Sequence, residues 1–151
     1  MEIMTLITAM LPIARRRLVT LDMVAPVTEA AKLLSAPNTN LVIACDSGGL
    51  MAGVLTKADI VNQISHCTGC GCVTAIADIM TRDIIKCCPE DKLRDIWEVM
   101  KNKALRQIPI SDSHSRPVGL LDASDALQVL LKEVEYEEDL LRDYVMGIGY
   151  H

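Results

Sequence analysis

The stretch Gly53-Val54-Leu55-Thr56-Lys57-Ala58-Asp59 leads from an apolar, strand-like segment into a helix-like one. Thr56 and Asp59 stand three residues apart at the junction. This is the spacing of a capping box, in which two side chains satisfy the free amides at the start of a helix. In a second interpretation, the same helix start holds an anion, and Asp59 accepts hydrogen bonds from the hydroxyls of a ligand. One copy of the stretch leaves both interpretations open.

The stretch occurs twice in the chain. Gly119 and Asp125 stand 66 positions after Gly53 and Asp59, and no gap is needed to align the two copies. An internal repeat fixes the architecture of a chain more firmly than a single motif does. Each copy has the pattern of a β-α-β-β-α unit that is too small to be stable alone. We therefore expect an α/β (α+β) fold in which the two units pack about a pseudo-two-fold axis.

Hydrophobic periodicity places the elements within each unit. The turn at 46–49 separates two apolar runs, which predicts a hairpin. In the first unit we expect strands at 18–21, 41–45 and 51–55 and helices at 27–34 and 57–64. In the second unit the offset predicts an opening strand at 84–85, a helix around 93–100 and a strand at 108–110.

The composition is that of a globular protein. The 151 residues are 50% hydrophobic and 23% charged, which is far from the composition of a disordered chain. The net charge of −5 argues against nucleic acid as the main partner, because phosphate contacts need a basic surface. The chain has no Phe, one Trp and three Tyr, so it offers little for stacking nucleobases on aromatic side chains.

The N-terminal residues predict a helix rather than an export signal. Residues 1–14 have apolar side chains at helical spacing, with Pro12 as the kink or the end of this lead-in helix. The charges at 15–17 follow the apolar run, whereas a secretory signal carries them before it, and the run is too short to span a bilayer. The six cysteines are then expected to be reduced. These features predict a soluble, cytoplasmic protein with no membrane partner.

Two β-α-β-β-α units that each end in Gly-apolar-apolar-(Thr/Ser/Asp)-x-x-Asp resemble a tandem CBS-domain pair, or Bateman module. The resemblance covers roughly residues 15–132, and Met80-Thr81-Arg82-Asp83 opens the second unit. The expected boundaries are 1–14 for the lead-in helix, 15–66 for the first unit, 67–79 for a Cys-rich linker, 80–132 for the second unit and 133–151 for an acidic C-terminal helix.

The resemblance implies two clefts between the units that bind adenosine-containing ligands such as AMP, ADP, ATP, NAD or S-adenosylmethionine. A fixed carboxylate suits a ribose diol, a helix start suits a phosphate, and an apolar slot suits adenine. Lys57, Lys86 and Arg106 carry charges that could neutralise phosphate. Carried over residue by residue, the first cleft consists of Leu55, Thr56, Asp59, Thr81, Ile85, Lys86, Leu105 and Pro109.

The second cleft is expected to be the weaker site. It departs from the pattern at Asp122, which stands where the first unit has Thr56, and a carboxylate repels phosphate but makes a good N-cap. The arginines at 15–17 either supply positive charge to this cleft or, as we expect, only line a helix end or pair with the acidic C-terminal segment. The cleft would consist of Val19, Thr20, Thr39, Leu121, Asp122, Ser124 and Asp125.

A cysteine cluster lies between the units. Cys67, Cys70 and Cys72, with the adjacent His66, have the ligand types and close spacing of a zinc or iron–sulfur site. No second Cys-x-x-Cys pair accompanies them, although the cysteines at 87–88 could complete a ligand set. The alternative is a flexible linker with reactive, redox-responsive thiols. The resemblance to CBS modules explains neither.

The second unit's last helix is expected to continue through an acidic segment to Gly147. Its apolar residues need a surface to pack on, either the lead-in helix or a second copy of the module, and the resemblance implies a homodimer. We interpret the chain as a non-catalytic nucleotide sensor that signals to an unidentified effector protein by a conformational shift. The alternatives are a metal- or redox-responsive protein that uses the cysteine cluster, and a structural dimerisation module with empty clefts.

Overall fold

The computed structural model of the chain describes residues 5–66 and 74–149. Short 3₁₀-helices lie at Ile7–Met10 and Ile76–Asp78. The other elements are, in chain order, α1 (Leu11–Arg17), β1 (Thr20–Asp22), α2 (Val27–Leu34), β2 (Leu41–Cys45), β3 (Met51–Thr56), α3 (Lys57–His66), α4 (Leu93–Lys103), β4 (Gln107–Ser111), β5 (Pro117–Asp122) and α5 (Ala123–Gly149).

The first unit contains a three-stranded sheet in the order β1-β2-β3. β1 lies parallel to β2, and β2 pairs antiparallel with β3 so that Val42 faces Leu55. In the hairpin turn, the Asp46 carboxylate accepts hydrogen bonds from the amides of Gly48 and Leu50 at 2.9 and 3.0 Å. Gly49 has a φ of 78°, which is a region that glycine enters without strain. β2 has the bounds expected from the sequence, β3 extends one residue further, and β1 begins two residues later than expected.

The second unit lacks the strand expected at 84–85. Within the described residues it has two strands, β4 and β5, and its opening segment makes only a single parallel bridge, between Cys87 and Ile110. In the first unit Ile43 and Met23 donate their amides to the neighbouring strand. Their counterparts 66 positions later are Pro109 and Pro89, which have no N–H to donate. The bonds on both sides of the bridge are therefore lost, and the prediction of a strand was wrong for this chemical reason.

The N-terminal residues form a 3₁₀-helix followed by α1, rather than one lead-in helix. Pro12 lies in the first turn of α1, where its missing N–H has no helical partner to lose, so it begins this helix instead of ending it. α1 packs on β5 of the second unit at Ala14 and Gly119, and a Cβ added to Gly119 would lie 2.8 Å from the Ala14 Cβ.

An equivalent contact lies 66 positions away in the other unit. A Cβ added to Gly53 of β3 would lie 2.6 Å from the Cγ and Sδ atoms of Met80. Thr81 also exchanges backbone hydrogen bonds with Val54 at 2.9 Å in both directions. Each unit's sheet is therefore covered by the segment that leads into the other unit, which is the pseudo-two-fold arrangement expected from the repeat.

The buried side chains form three clusters. One belongs to the second unit and includes Ile7, Met10 and Ala14 from the N-terminal segment. Another belongs to the first unit and includes Ile76 and Met80, which precede the second unit. The third lies between the two sheets, where the buried side chains Leu41, Ile43, Val54 and Leu120 meet. The third cluster thus joins the apolar interiors of the two units.

α5 is a continuous helix of 27 residues that extends well beyond the second unit, as the sequence predicted. Glu133, only 5% exposed, accepts hydrogen bonds from the Thr5 hydroxyl and from Nε of Arg94. Val134, Leu140 and Leu141 remain exposed, so they do not pack on the N-terminal segment within the described residues. None of the described helices has both the length and the apolar character needed to cross a bilayer.

Candidate functional site

The junction of β3 and α3 forms the capping box. Asp59 Oδ2 accepts hydrogen bonds from the backbone amide of Thr56 at 2.9 Å and from its hydroxyl at 3.3 Å. The amide of Asp59 in turn donates to Thr56 Oγ1 at 3.4 Å. These bonds satisfy free amides of the helix and fix both side chains at its positive end. The local interpretation of the motif is confirmed, and it holds the two side chains in place for any further role.

A cavity of about 260 Å³ opens beside this junction, between the two units. The first unit contributes Thr56, Lys57 and the start of β2, and the second unit contributes the residues that lead into β4. Both apolar side chains and hydrogen-bonding groups line it, which is the mixture typical of a small-molecule site. The lining residues are Asn40, Leu41, Thr56, Lys57, Ala58, Ala104, Leu105, Arg106 and Gln107.

Of the residues predicted for the first cleft, Thr56 and Leu105 line this cavity from opposite units. Leu55 and Pro109 are buried within their sheets instead. The described lining of the cavity includes none of Asp59, Thr81, Ile85 and Lys86. Asp59 is half-buried in the capping box next to the cavity, and the other three residues are exposed. Thr81 pairs with β3, and Lys86 Nζ lies 3.5 Å from the hydroxyl of Ser115.

Asn40 and Gln107 are polar lining residues that were not predicted from the sequence. Gln107 is 5% exposed, although its counterpart in the repeat is the apolar Leu41. A polar residue at a position where the other copy has a buried leucine is a sequence signal for a special role. Asn40 directly precedes β2, and its backbone amide donates to Gln107 Oε1, at the start of β4, at 3.3 Å.

The second cleft contains an ion pair within the chain. Arg17 Nε and Nη2 donate to the two carboxylate oxygens of Asp125 at 2.5 and 3.0 Å. Arg17 Nη1 also lies 3.9 Å from Asp122 Oδ2. Both carboxylates belong to residues that are only 6% exposed. The expectation that these arginines only line a helix end or pair with the acidic C-terminal segment was therefore wrong for Arg17.

Asp122 is held by several hydrogen bonds. Its Oδ1 accepts from the amide of Ser124 at 2.9 Å and from the Ser124 hydroxyl at 2.5 Å, which makes Asp122 the N-cap of α5. Its Oδ2 accepts from Gln107 Nε2 at 2.9 Å. Because Gln107 also lines the first cavity, a chain of hydrogen bonds connects the two clefts.

The charges of the second cleft stabilise each other. Burial raises the pKa of Asp122, but the hydrogen bonds from Ser124 and Gln107 and the charge of Arg17 outweigh it, so the pKa lies below its ordinary value. The hydrogen bond to Asp125 raises the pKa of Arg17, and burial opposes this. Asp122 is therefore an anion, and Arg17 a cation, over the whole neutral range.

A cavity of about 330 Å³ adjoins Arg17. Val19 and Thr39, both predicted for the second cleft, line it together with Ile13, Arg16 and Asn38. Asp125 lines a neighbouring space of about 290 Å³ that also includes Arg16. Among the other predicted residues, Thr20 is exposed on β1, Leu121 is buried in the core, and Ser124 serves the cap of α5.

The predicted metal ligands Cys67, Cys70 and Cys72 lie outside the described residues, and His66 is the last residue of α3. Cys87 is buried in the core, and burial raises the pKa of its thiol to about 12. A thiol that stays protonated is a poor ligand and a poor nucleophile. No group of three His, Cys, Asp or Glu side chains in residues 5–66 and 74–149 has the arrangement of a metal site.

The repeat, the contacts that relate the units and the paired clefts all agree with one protein family. The model of the CBS domain family matches this chain twice, at residues 11–66 and 76–132. The chain belongs to the CBS domain family. Its two CBS domains correspond to the two repeats read from the sequence, and that resemblance is confirmed.

Solved structures of CBS domain pairs share this fold. The CBS domain pair of protein MJ0100, in complex with 5′-methylthioadenosine and S-adenosyl-L-methionine, superposes with a TM-score of 0.71 at 23% identity, and the match covers 87% of this chain and 99% of that one. CBSX2 in complex with AMP superposes with a TM-score of 0.66 at 19% identity, covering 79% of this chain and 91% of that one.

Curated relatives are longer proteins. A homoserine O-acetyltransferase of Methanosphaera stadtmanae is 28% identical over 100 residues, which is 66% of this chain. This CBS pair spans only 19% of that relative's length, so the similarity concerns one part of that protein.

Proposed function

We propose that this CBS pair binds an adenosine-containing ligand of the AMP, ADP, ATP, NAD or S-adenosylmethionine type between its two units, and that it acts as a regulatory module without catalysis of its own. The observation that carries the proposal is the cavity beside the Thr56–Asp59 capping box, which residues of both units line. The ligands of the two similar structures, 5′-methylthioadenosine with S-adenosyl-L-methionine and AMP, support the ligand class.

The residues beside the cavity suit the parts of such a ligand. Asp59 uses Oδ2 in the cap, and we assign Oδ1 to the ribose hydroxyls, which need a fixed acceptor. Thr56 and Lys57 at the start of α3 suit a phosphate or another anionic group. Leu105 and Leu41 offer an apolar surface for adenine. A contribution of Thr81, Ile85 and Lys86 stays a prediction.

A ligand in this position touches both units at once. It would favour the relative orientation of the units that fits it best, and a partner protein that prefers this orientation would then bind more tightly. The size of the response is limited by the difference in ligand affinity between the two orientations.

We propose a second copy of this chain as the partner of α5. Leu127, Leu131, Val134 and Leu141 are between 42% and 64% exposed. They follow each other at intervals of four, three and seven residues, which places them on one stripe of the helix and is the spacing of a coiled-coil seam. Two copies that align these stripes would bury them.

Substitution of Asp59 tests the proposed site. Asp59→Ala removes the acceptor assigned to ribose, and we expect at least a tenfold loss of affinity for adenosine ligands, in line with the loss of a charged hydrogen-bond acceptor. Isothermal titration with AMP, ATP and S-adenosylmethionine measures this loss. Asp95→Ala, an exposed acid on α4, is the matched control and should bind as the native chain does.

Native mass spectrometry of freshly purified protein complements the titration. It reports co-purified nucleotide, bound metal and the number of chains in one spectrum. If no adenosine compound binds to a well-folded sample or raises its melting temperature, the proposed function is wrong.

A further inference from the structure

We infer that Arg17 excludes ribose-containing ligands from the second cleft, so that this chain takes one adenosine ligand and Arg17 is the residue that determines this number. The inference rests on the proposed function, since it assumes that the carboxylate of each repeat serves a ribose. It concerns the stoichiometry of binding, which neither the family nor the similar structures fix for this chain.

Both carboxylate oxygens of Asp125 accept hydrogen bonds from Arg17, so a ribose would have to share them with the guanidinium. A ribose diol needs a carboxylate with free acceptor positions, and Asp59 offers this because its cap uses only Oδ2 within the described residues. Asp125 has both oxygens engaged, one by Nε and the other by Nη2 of Arg17. A bidentate pair of this kind adds geometric specificity to the energy of the ion pair.

The repeat shows that this contact is not shared by the first cleft. The position equivalent to Arg17 in the second unit is Asp83, 66 residues later, and it is exposed. A carboxylate at this position cannot pair with Asp59, because the two charges have the same sign. Where the repeat has Arg17, the carboxylate of Asp125 is engaged by a guanidinium. Where it has Asp83, the carboxylate of Asp59 is available to a ligand.

Displacement of Arg17 by a ligand would be unfavourable. Asp122 and Asp125 are both 6% exposed and lie beside the same guanidinium. If Arg17 swung away, two nearby and largely buried carboxylates would lose their cation, and a neutral ribose diol supplies no charge to replace it. Arg15 is exposed in the same turn of α1, makes none of the contacts found for Arg17 in the described residues and lines neither space of the second cleft, so it serves as a control.

Titration of a matched pair of variants tests the inference. Arg17→Met keeps the aliphatic stem but removes the guanidinium, whereas Arg15→Met changes an exposed arginine of the same turn. With 5′-methylthioadenosine and with AMP as probes, we expect one bound equivalent for the native chain and for Arg15→Met, and two for Arg17→Met. The additional site should disappear again in Arg17→Met/Asp125→Asn, and Asp59→Ala should remove the site of the native chain.

Several outcomes would overturn the inference. Two equivalents bound by the native chain would show that Arg17 excludes nothing, while the proposed function would stand. A folded Arg17→Met that gains no equivalent over the native chain would also contradict it. If the native chain binds none and Arg17→Met binds one, the assignment of the first cleft fails but the role of Arg17 holds.

A second variant covers the case in which Arg17→Met does not fold. Arg17→Lys keeps the positive charge but replaces the two-pronged guanidinium by a single ammonium group, so it engages Asp125 less completely. We expect it to fold and to show a second, weaker site for 5′-methylthioadenosine, at least about tenfold weaker than the first. A folded Arg17→Lys with the same single site as the native chain would refute the inference.

Discussion

At the scale of single residues, Asp122 combines two roles that the first unit gives to different positions. It caps α5 through Ser124, and it takes part in the charge cluster with Arg17 and Gln107. Its counterpart Thr56 caps α3 without carrying a charge. The second unit therefore has an ionised carboxylate at a position where the first has a hydroxyl, and the contribution of this position to stability becomes sensitive to acid.

Acidification should reveal the contribution of Asp122. Because its pKa in the folded chain lies below the ordinary value, the unfolded chain binds more protons in this range, and the stabilisation is present above about pH 4 and is lost as pH falls through the lowered pKa. We expect Asp122→Asn to be less stable than the native chain at pH 7 and to approach its stability as the pH falls below the lowered pKa of Asp122. Urea unfolding at a series of pH values measures this.

Asp95→Asn provides the control for the acid series, because Asp95 is exposed on α4. It should follow the native chain at every pH. An Asp122→Asn curve parallel to the native one across the acid range would contradict the role given to Asp122.

The residues of the two clefts differ in how far the sequence predicts them. Thr56 and Asp59 interact over three positions at one helix start, so their spacing alone predicts the cap. Arg17 and Asp125 are 108 positions apart in the chain, and no local pattern indicates that they meet. Asp122, at the position of Thr56 in the first unit, indicated that the second cleft differs from the first. That Arg17 is the partner of Asp125 became evident only from the packing of α1 on β5.

At the scale of elements, the contact of α1 with β5 depends on the absence of a side chain at Gly119. The helix approaches so closely that a Cβ there would lie 2.8 Å from the Ala14 Cβ and 3.2 Å from the Ala14 carbonyl carbon. At Gly53 the nearest atoms belong to the flexible side chain of Met80, with the Thr81 carbonyl oxygen at 3.0 Å. The contact at Gly53 can therefore adjust by a change in the Met80 side chain, whereas the contact at Gly119 requires movement of the α1 backbone.

Gly119→Ala should therefore destabilise the chain by about 1–3 kcal/mol, because backbone of α1 has to move to admit the methyl group. Gly53→Ala is the matched variant, and we expect a smaller loss, since Met80 can change its rotamer. Thermal and urea unfolding measure both. Ala14→Gly should restore part of the stability lost in Gly119→Ala, and equal losses for the two glycine variants would contradict the explanation.

The strands show where repeat reasoning succeeds and where it fails. Apolar runs predicted β2 to the residue, Leu41–Cys45, because a buried strand has a distinctive composition. The repeat offset also predicted a strand at 84–85, but the prolines at 89 and 109 lack the amides that would complete the pairing of this strand. Proline positions in both partners of a pairing have to be considered before an element is copied from one repeat to the other.

At the scale of the whole molecule, each unit depends on a segment that precedes the other. Ile7, Met10 and Ala14 are buried in the core of the second unit, and Ile76 and Met80 in that of the first. Residues distant in the sequence thus contribute to one interior, and we expect the chain to unfold in a single cooperative transition.

Ile7→Ala tests this dependence, because Ile7 is fully buried although it precedes both units. We expect a loss of about 2–5 kcal/mol, typical of a truncated core side chain. Amide hydrogen exchange should show reduced protection in β4 and β5, far away in the sequence. Ile13→Ala, at a position that is 41% exposed, is the control and should change little. Reduced protection confined to residues 5–17 would argue against a shared interior.

The exchange of covering segments also determines which motion a ligand is able to drive. A hinge that opened the units like a clamshell would pull Ala14 away from Gly119 and Met80 away from Gly53, and would expose both cores together. A shear, in which the sheets slide and rotate slightly while side chains keep their neighbours, avoids that cost. The ligand-driven motion of the two units should therefore have a small amplitude. A downstream protein would have to recognise a change in the angle between the units rather than a newly exposed surface.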